Sequence, residues 1–294
     1  MTAAIETTGL SKRYGRTWAL RDCTLAVPSG RVAAVVGPNG AGKTTLMRLA
    51  VGLRRPTRGS VSVFGRTPRD DPASLARVGF VAQETPLYRD LTVADHLEMG
   101  RRLNGLAWDR PSAAERLGKL SIPLDRRAAE LSGGQRAQVA LTIALAKRPD
   151  LLVLDEPVAS LDPLARRTFL SELMGEVAAR ELTVLLSSHL IADLEHRCDY
   201  LVILSDSRVQ VLGDVDDLLA THSVLVGAAD GATPTGEVVS SRETDRQRTL
   251  VVRSDTDAPA PPGWVGEPIS LEDLVLAYLS EPDAGVLPGP EGPA

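Results

Sequence analysis

The chain has 294 residues, 43% of them hydrophobic, enough to pack one large domain with a smaller one beside it and too apolar for a disordered polymer. A formal net charge of −5 supplies no overall field to draw in nucleic acid, which is not expected as a partner. No stretch approaches the roughly 18 to 20 apolar residues of a membrane span, the start Met1-Thr2-Ala3-Ala4-Ile5-Glu6 lacks signal-peptide character, and Cys23 and Cys198 fall outside metal-ligand spacing, so a soluble, intracellular chain with reduced thiols is expected.

The first strong element is Val32-Ala33-Ala34-Val35-Val36, an apolar run that predicts a buried strand. Gly37-Pro38-Asn39-Gly40-Ala41-Gly42-Lys43-Thr44 follows it, and Thr45-Leu46-Met47-Arg48-Leu49-Ala50 reads as the first turns of a helix. Strand, glycine-rich turn and helix in that order make a complete phosphate-binding loop, so the run from Gly37 to Thr45 is the candidate nucleotide contact. Gly37, Gly40 and Gly42 let the backbone wrap with its N–H groups inward, and the helix dipole adds positive character. Lys43 is expected to reach the β and γ phosphates, and the Thr44 hydroxyl to hold Mg²⁺.

Val78 to Ala82 predicts a second strand, followed by Gln83. From about Leu91 to Glu130 the spacing in Ala94-Asp95-His96-Leu97-Glu98-Met99 and Ala113-Ala114-Glu115-Arg116-Leu117 is helical, with no strong strand between, which reads as a helical insertion. Leu131-Ser132-Gly133-Gly134-Gln135 then opens a helix running from Arg136 to Lys147. Ser132 suits an N-cap, and the two glycines bare backbone N–H groups at the positive helix end, a second anion site. One γ phosphate can hardly be held by two separate helix N-termini of a single small sheet, so the second site is expected to serve another molecule's nucleotide.

Leu151 to Leu154 predicts a third strand, closing on Asp155-Glu156-Pro157. Alone, the pair would be a polar turn after a buried strand. Beside a phosphate loop, Asp155 is a candidate to bind Mg²⁺ through water and Glu156 to polarise a water at the γ phosphate. Thr183 to Leu186 and Leu201 to Leu204 add two strands, with His189 just after the first. Short apolar runs alternating with helices predict an α/β fold around a mostly parallel sheet. Beyond Asp206 come two short alternating runs, at Ser223 to Val226 and Thr249 to Val252. A helix over Ser270 to Leu279 follows, with Ser270 as its cap and Asp273 in the reciprocal position. Ala258-Pro259-Ala260-Pro261-Pro262-Gly263 reads as a local loop. The expected organisation is residues 1–215 as one domain, with a helical part at about 84–135, then a small α+β domain at 216–280 and a disordered Pro- and Gly-rich tail at 281–294.

Taken together, the loop at 37–44, LSGGQ at 131–135 and LLVLDEP at 151–157 resemble the ATP-binding cassette of ABC transporters, over about residues 5–215. The resemblance implies a P-loop cassette with an antiparallel β edge, and further site residues by position. Tyr14 is similar to the aromatic that stacks on adenine. Gln83 corresponds to the glutamine that touches Mg²⁺ and water and leads into the part that meets the membrane partner. Asp162, in Ser160-Leu161-Asp162-Pro163, lies in the loop that crosses the dimer interface, and His189 is similar to the γ-phosphate-sensing histidine. The implied assembly is a head-to-tail pair holding two ATP, each between one chain's phosphate loop and the other's Ser132, Gly133, Gly134, Gln135 and Asp162. It would drive a separate permease from the cytoplasmic face of the membrane. Two stretches depart from the family's usual pattern: Val158-Ala159-Ser160 after the acidic strand, and Arg136-Ala137-Gln138-Val139 where a more basic run is common. The ending Glu267 to Leu274 resembles bacterial drug and antibiotic exporter ATPases of the daunorubicin-resistance type. The alternatives are the ATPase of an importer, or a soluble ABC factor that remodels ribosomes or DNA.

Overall fold

A computed structural model describes residues 3–69, 71–84, 87–104, 108–229, 234, 236–254 and 260–281. The tail at 282–294, and Ala258 and Pro259 of the Pro-rich loop, lie outside the described residues. The central feature is a six-stranded sheet of β3 (Val32–Val36), β5 (Val78–Val81), β6 (Leu151–Leu154), β7 (Thr183–Ser187), β8 (Tyr200–Ser205) and β9 (Arg208–Asp214). Its spatial order is β5-β6-β7-β3-β8-β9, parallel throughout except for the β8–β9 hairpin.

The unbroken apolar runs are explained by cover on both faces. Val32, Ala34, Val36, Leu152, Leu154, Val184 and Leu186 point into one core, with Phe169, Leu170 and Leu173. The alternate residues Ala33, Val35, Leu151, Val153 and Leu185 point into the other, with Leu46, Met47 and Leu49. Period-two alternation with both sides buried leaves no polar position, as a parallel sheet under helices requires. The first face carries α5 (Gly133–Ala146) and α6 (Pro163–Ala179); the second carries α1 (Lys43–Ala50) and an antiparallel sheet of β1 (Ala3–Tyr14), β2 (Thr17–Pro28) and β4 (Arg58–Val63), ordered β2-β1-β4. A short α2 (Pro72–Ala76) leads into β5.

Between β5 and α5 the chain forms α3 (Val93–Asn104) and α4 (Arg110–Lys119), which share a core of Val93, Leu97, Trp108, Leu117 and Val139 with α5. After β9 come α7 (Val215–Ala220) and a four-stranded antiparallel sheet of β10 (His222–Ala228), β11 (Glu237–Glu243), β12 (Gln247–Arg253) and β13 (Trp264–Pro268), then α8 (Leu271–Ser280). Ser270 caps α8 by accepting from the Asp273 N–H; the reciprocal contact differs from expectation, since the Asp273 carboxylate accepts from the Ser270 hydroxyl at 2.6 Å. Strand β5 stops one residue short of Ala82, because the last ladder bond runs from Asp155 N to Val81 O and the chain then turns away. The order β6-β7-β3 in mid-sheet brings the carboxyl ends of three strands side by side, where α/β sheets assemble their ligand sites.

Candidate functional site

The loop after β3 wraps tightly because Gly37 takes φ +151°, and a Cβ there would lie 2.2 Å from Leu204 O. Ala41 N donates to Pro38 O at 3.2 Å, closing the turn, and α1 begins at Lys43, with Thr44 and Thr45 in its first turn. Lys43 is 5% exposed, and its ammonium donates to the carbonyls of Gly37 (2.7 Å) and Pro38 (3.2 Å) inside the turn. Burial lowers its pKa, and the carboxylates of Glu156 and Asp155 pull the other way.

Asp155 follows β6 and is fully buried. Its Oδ1 accepts from Thr44 Oγ1 (2.9 Å) and from Ser187 Oγ (3.1 Å), while its Oδ2 has no hydrogen-bond partner among the described residues. Burial raises its pKa, opposed by the Thr44 and Ser187 hydrogen bonds and by Arg48. An unpaired, buried carboxylate oxygen beside a threonine hydroxyl is a hard-oxygen set that suits Mg²⁺, which takes one or two carboxylates and completes its shell with substrate phosphates and water.

Glu156 is the hub. Its Oε1 lies 3.8 Å from Lys43 Nζ; its Oε2 accepts from Gln83 Nε2 at 3.2 Å and lies 3.3 Å from His189 Nδ1. Four strand ends thus meet at one carboxylate: β3 through Lys43, β5 through Gln83, β6 through Glu156 and β7 through His189. Register explains the meeting, since Val81 pairs with Leu154, Leu154 with Leu186, and Val35 with Ser187. Ser187, fully buried at the end of β7, went unread in the sequence; its only signal there was a hydroxyl where an apolar strand residue would do.

The remaining candidates lie elsewhere. Tyr14 ends β1 at the β1–β2 hairpin, 44% exposed, with Lys12 Nζ 5.3 Å from its ring centroid. Ser132 caps α5 in a complete capping box with Gln135, and Asp162 caps α6, accepting from Leu164 N and Ala165 N. These two helix starts abut, for a Cβ on Gly134 would come within 2.9 Å of Ala165 Cβ, and Gly133 faces Leu161 and Ser160. Among the described residues, no hydrogen bond or ion pair joins this pair of helix ends to the 37–45 loop.

The family described as ABC transporter matches residues 20–159. Nod factor export ATP-binding protein I of Ralstonia nicotianae is 31% identical over 94% of this chain and 93% of its own length. Sulfate/thiosulfate import ATP-binding protein CysA of Yersinia pseudotuberculosis is 35% identical over 81% of this chain and 69% of its own. Among solved structures, the ATP-binding subunit of an ABC transporter superposes with a TM-score of 0.65 at 33% identity, covering 74% of this chain and 92% of that one. The ADP conformation of an ATP-binding cassette of an ABC transporter gives 0.64 at 26% identity, over 74% and 93%. Identity along nearly the whole of both chains, on a matching fold, makes this protein a member of the ABC transporter family, an ATP-binding subunit and an ATPase.

Proposed function

We propose that this ATPase works as a head-to-tail pair around two Mg²⁺–ATP and drives a separate membrane permease that exports a small hydrophobic compound, a drug or antibiotic among the candidates. In this reading Lys43 and the N–H groups from Gly37 to Thr45 hold the phosphates, Tyr14 stacks on the base, and Thr44, Asp155 and Gln83 hold the ion. Mg²⁺ would neutralise charge on the β and γ phosphates. Glu156 takes the proton of the attacking water, while Gln83 and His189 orient its carboxylate. Ser132, Gly133, Gly134, Gln135 and Asp162 complete the partner chain's site. That the two helix starts abut each other while, among the described residues, no hydrogen bond or ion pair joins them to the phosphate loop of their own chain is the observation that carries the paired arrangement.

Two features support a permease. No helix among the described residues is long and apolar enough to cross a membrane. A cleft of about 710 Å³ opens beside β5 between α1, α3 and α5, its apolar side formed by Leu53, Phe80, Leu87, Met99 and Ile143 and its polar side by Arg48, Arg54 and His96, with Leu53 56% exposed. An apolar wall with two arginines at its side suits a short amphipathic helix from a membrane partner. Export is favoured by coverage: the exporter relative matches along 93% of its length, the importer relative along 69%. The likeness of Glu267 to Leu274 to daunorubicin-resistance ATPases points the same way.

The test is purification of the tagged chain from its host's membranes. A polytopic membrane protein is expected to accompany it, and inverted vesicles carrying both are expected to accumulate hydrophobic drugs when given ATP. Accumulation only in right-side-out vesicles would make it an importer. Ribosomal or DNA-repair proteins in place of a permease would overturn the transport reading.

A further inference from the structure

We propose that Ser187 is a positioning residue for ATP hydrolysis: its single hydroxyl ties the Asp155 carboxylate to the Glu156 backbone and so holds the two acidic residues in their working arrangement. The proposal rests on the reading of Glu156 as the group that activates water. Ser187 Oγ accepts from Glu156 N at 2.8 Å and donates to Asp155 Oδ1 at 3.1 Å, the same oxygen that accepts from Thr44 Oγ1. One hydroxyl therefore uses both its donor and its acceptor capacity on consecutive residues of another strand's end.

That strand end needs such a tie. Glu156 has φ +46°, a left-handed conformation that residues other than Gly, Asn and Asp adopt only when their surroundings impose it. The bond from its N–H to Ser187 fixes the peptide that sets the direction of its side chain, which in this orientation reaches Gln83, His189 and Lys43. Ser187 ends β7 two residues before His189, so the end of β7 and the turn after it deliver the orienting hydroxyl and the histidine together. The adjacent Ser188 does something else: its hydroxyl donates to Leu190 O and accepts from Leu190 N, shaping the turn that carries His189. An apolar residue at 187 would leave the Glu156 N–H and the Asp155 oxygen without their shared partner.

The test is steady-state Mg²⁺–ATP turnover by the purified full-length chain, with nucleotide affinity read by a fluorescent ATP analogue and folding by thermal melting. Ser187→Ala is expected to lower kcat on the order of 10- to 100-fold, the scale of a displaced catalytic group, while KM and nucleotide affinity stay within about twofold. Ser187→Thr, which keeps the hydroxyl, is expected to restore most of the rate. Ser187→Cys, matched in size but weak in hydrogen bonding, is expected to behave like the alanine variant and serves if that one fails to fold. Wild-type kcat in Ser187→Ala beside a dead Glu156→Gln would overturn the proposal. So would a parallel loss of affinity and rate that threonine does not repair. Normal turnover in Glu156→Gln would fell the underlying reading and this one with it.

Discussion

Glu156 concentrates the chemistry of the site because its carboxylate, 11% exposed, gathers a lysine, a glutamine and a histidine from three other strand ends. Glu156→Gln keeps the shape and removes the charge that, in the proposed mechanism, takes a proton from water. It is expected to lower kcat on the order of 10²- to 10⁴-fold while ATP still binds, read by phosphate release and by nucleotide titration. Ordinary turnover would remove Glu156 as the base. Gly37 makes a separate demand. Gly37→Ala sets a methyl 2.2 Å from the Leu204 carbonyl in a conformation that alanine avoids. A loss of about 2 kcal/mol in stability and of nucleotide binding is expected, by urea unfolding and by titration. At this scale the sequence was informative where several fixed residues fall within one short run, as Gly37, Gly42, Lys43 and Thr44 do, because the phosphate-binding motif specifies those positions together. Ser187 was illegible for the opposite reason: a lone serine acquires meaning only from the pairing of Val35 with Ser187 and Leu154 with Leu186, which join residues far apart in the chain.

The helices are held by a clamp that also accounts for one of the two departures from the family pattern. Arg116 on α4, its side chain 10% exposed, donates to Gln138 Oε1 (2.7 Å) and Thr142 Oγ1 (3.1 Å) on α5 and to Glu172 Oε2 (2.8 Å) on α6. Gln138, standing where a more basic run is common, is thus the acceptor for a guanidinium that arrives from the neighbouring helix. Since α5 follows Ser132 and α6 follows Asp162, the clamp bears on the relative setting of the two helix starts. Glu172 is 42% exposed, so most of the worth lies in the buried bonds to α5. Arg116→Met retains the apolar stem and is expected to cost about 2 kcal/mol, seen as a melting point lower by about 3 °C. An unchanged melt would show that the three bonds merely replace hydration. Elements differed in legibility as residues did. β3 and β5 to β8 are apolar on both faces and stand out as runs, whereas β1 carries polar residues and register shifts between Ala3 and Ile5, Thr7 and Leu10, Leu10 and Lys12, and Lys12 and Arg13, which break any simple period. The helix α2, five residues long, spans too little chain to show a helical period at all.

Across the whole molecule, the last sheet and α8 are joined to the ATPase core by packing and by one buried polar cluster. Leu271, Leu274, Val275 and Tyr278 belong to the same apolar core as Phe169, Leu170 and Leu194, and α8 packs on the turn Ile191–Asp193 that follows His189. Gln210 of β9 donates to Tyr278 O (2.8 Å) and Glu281 O (2.9 Å), pinning the end of α8. Beside it, His222 Nδ1 lies 2.6 Å from Leu218 O, which can only accept, so Nδ1 carries the ring proton and Nε2 accepts from the Tyr278 hydroxyl at 2.8 Å. Burial pushes that phenol up to about 12, which keeps it a donor. Burial likewise lowers the His222 pKa; the Leu218 carbonyl opposes this, Arg253 adds to it and Glu237 opposes it. The histidine is therefore neutral in the fold, and a second proton would sit on Nε2 facing a hydroxyl already committed to donating. The sign follows from linkage: with the folded pKa below the unfolded value of about 6.5, the unfolded chain binds the proton first as pH falls. Stability is full above that unfolded value and declines with acid until the lower, folded pKa is reached. The melting point is expected to drop between pH 7.5 and pH 5.5. His222→Gln, which offers an N–H to Leu218 and an oxygen to Tyr278 without titrating, is expected to flatten that slope relative to the native chain. Every other group is common to the two proteins, so the difference between the two slopes isolates His222. Parallel slopes would mean that His222 carries the same charge folded and unfolded, and that the polar cluster joining α8 to β10 does not select the neutral ring.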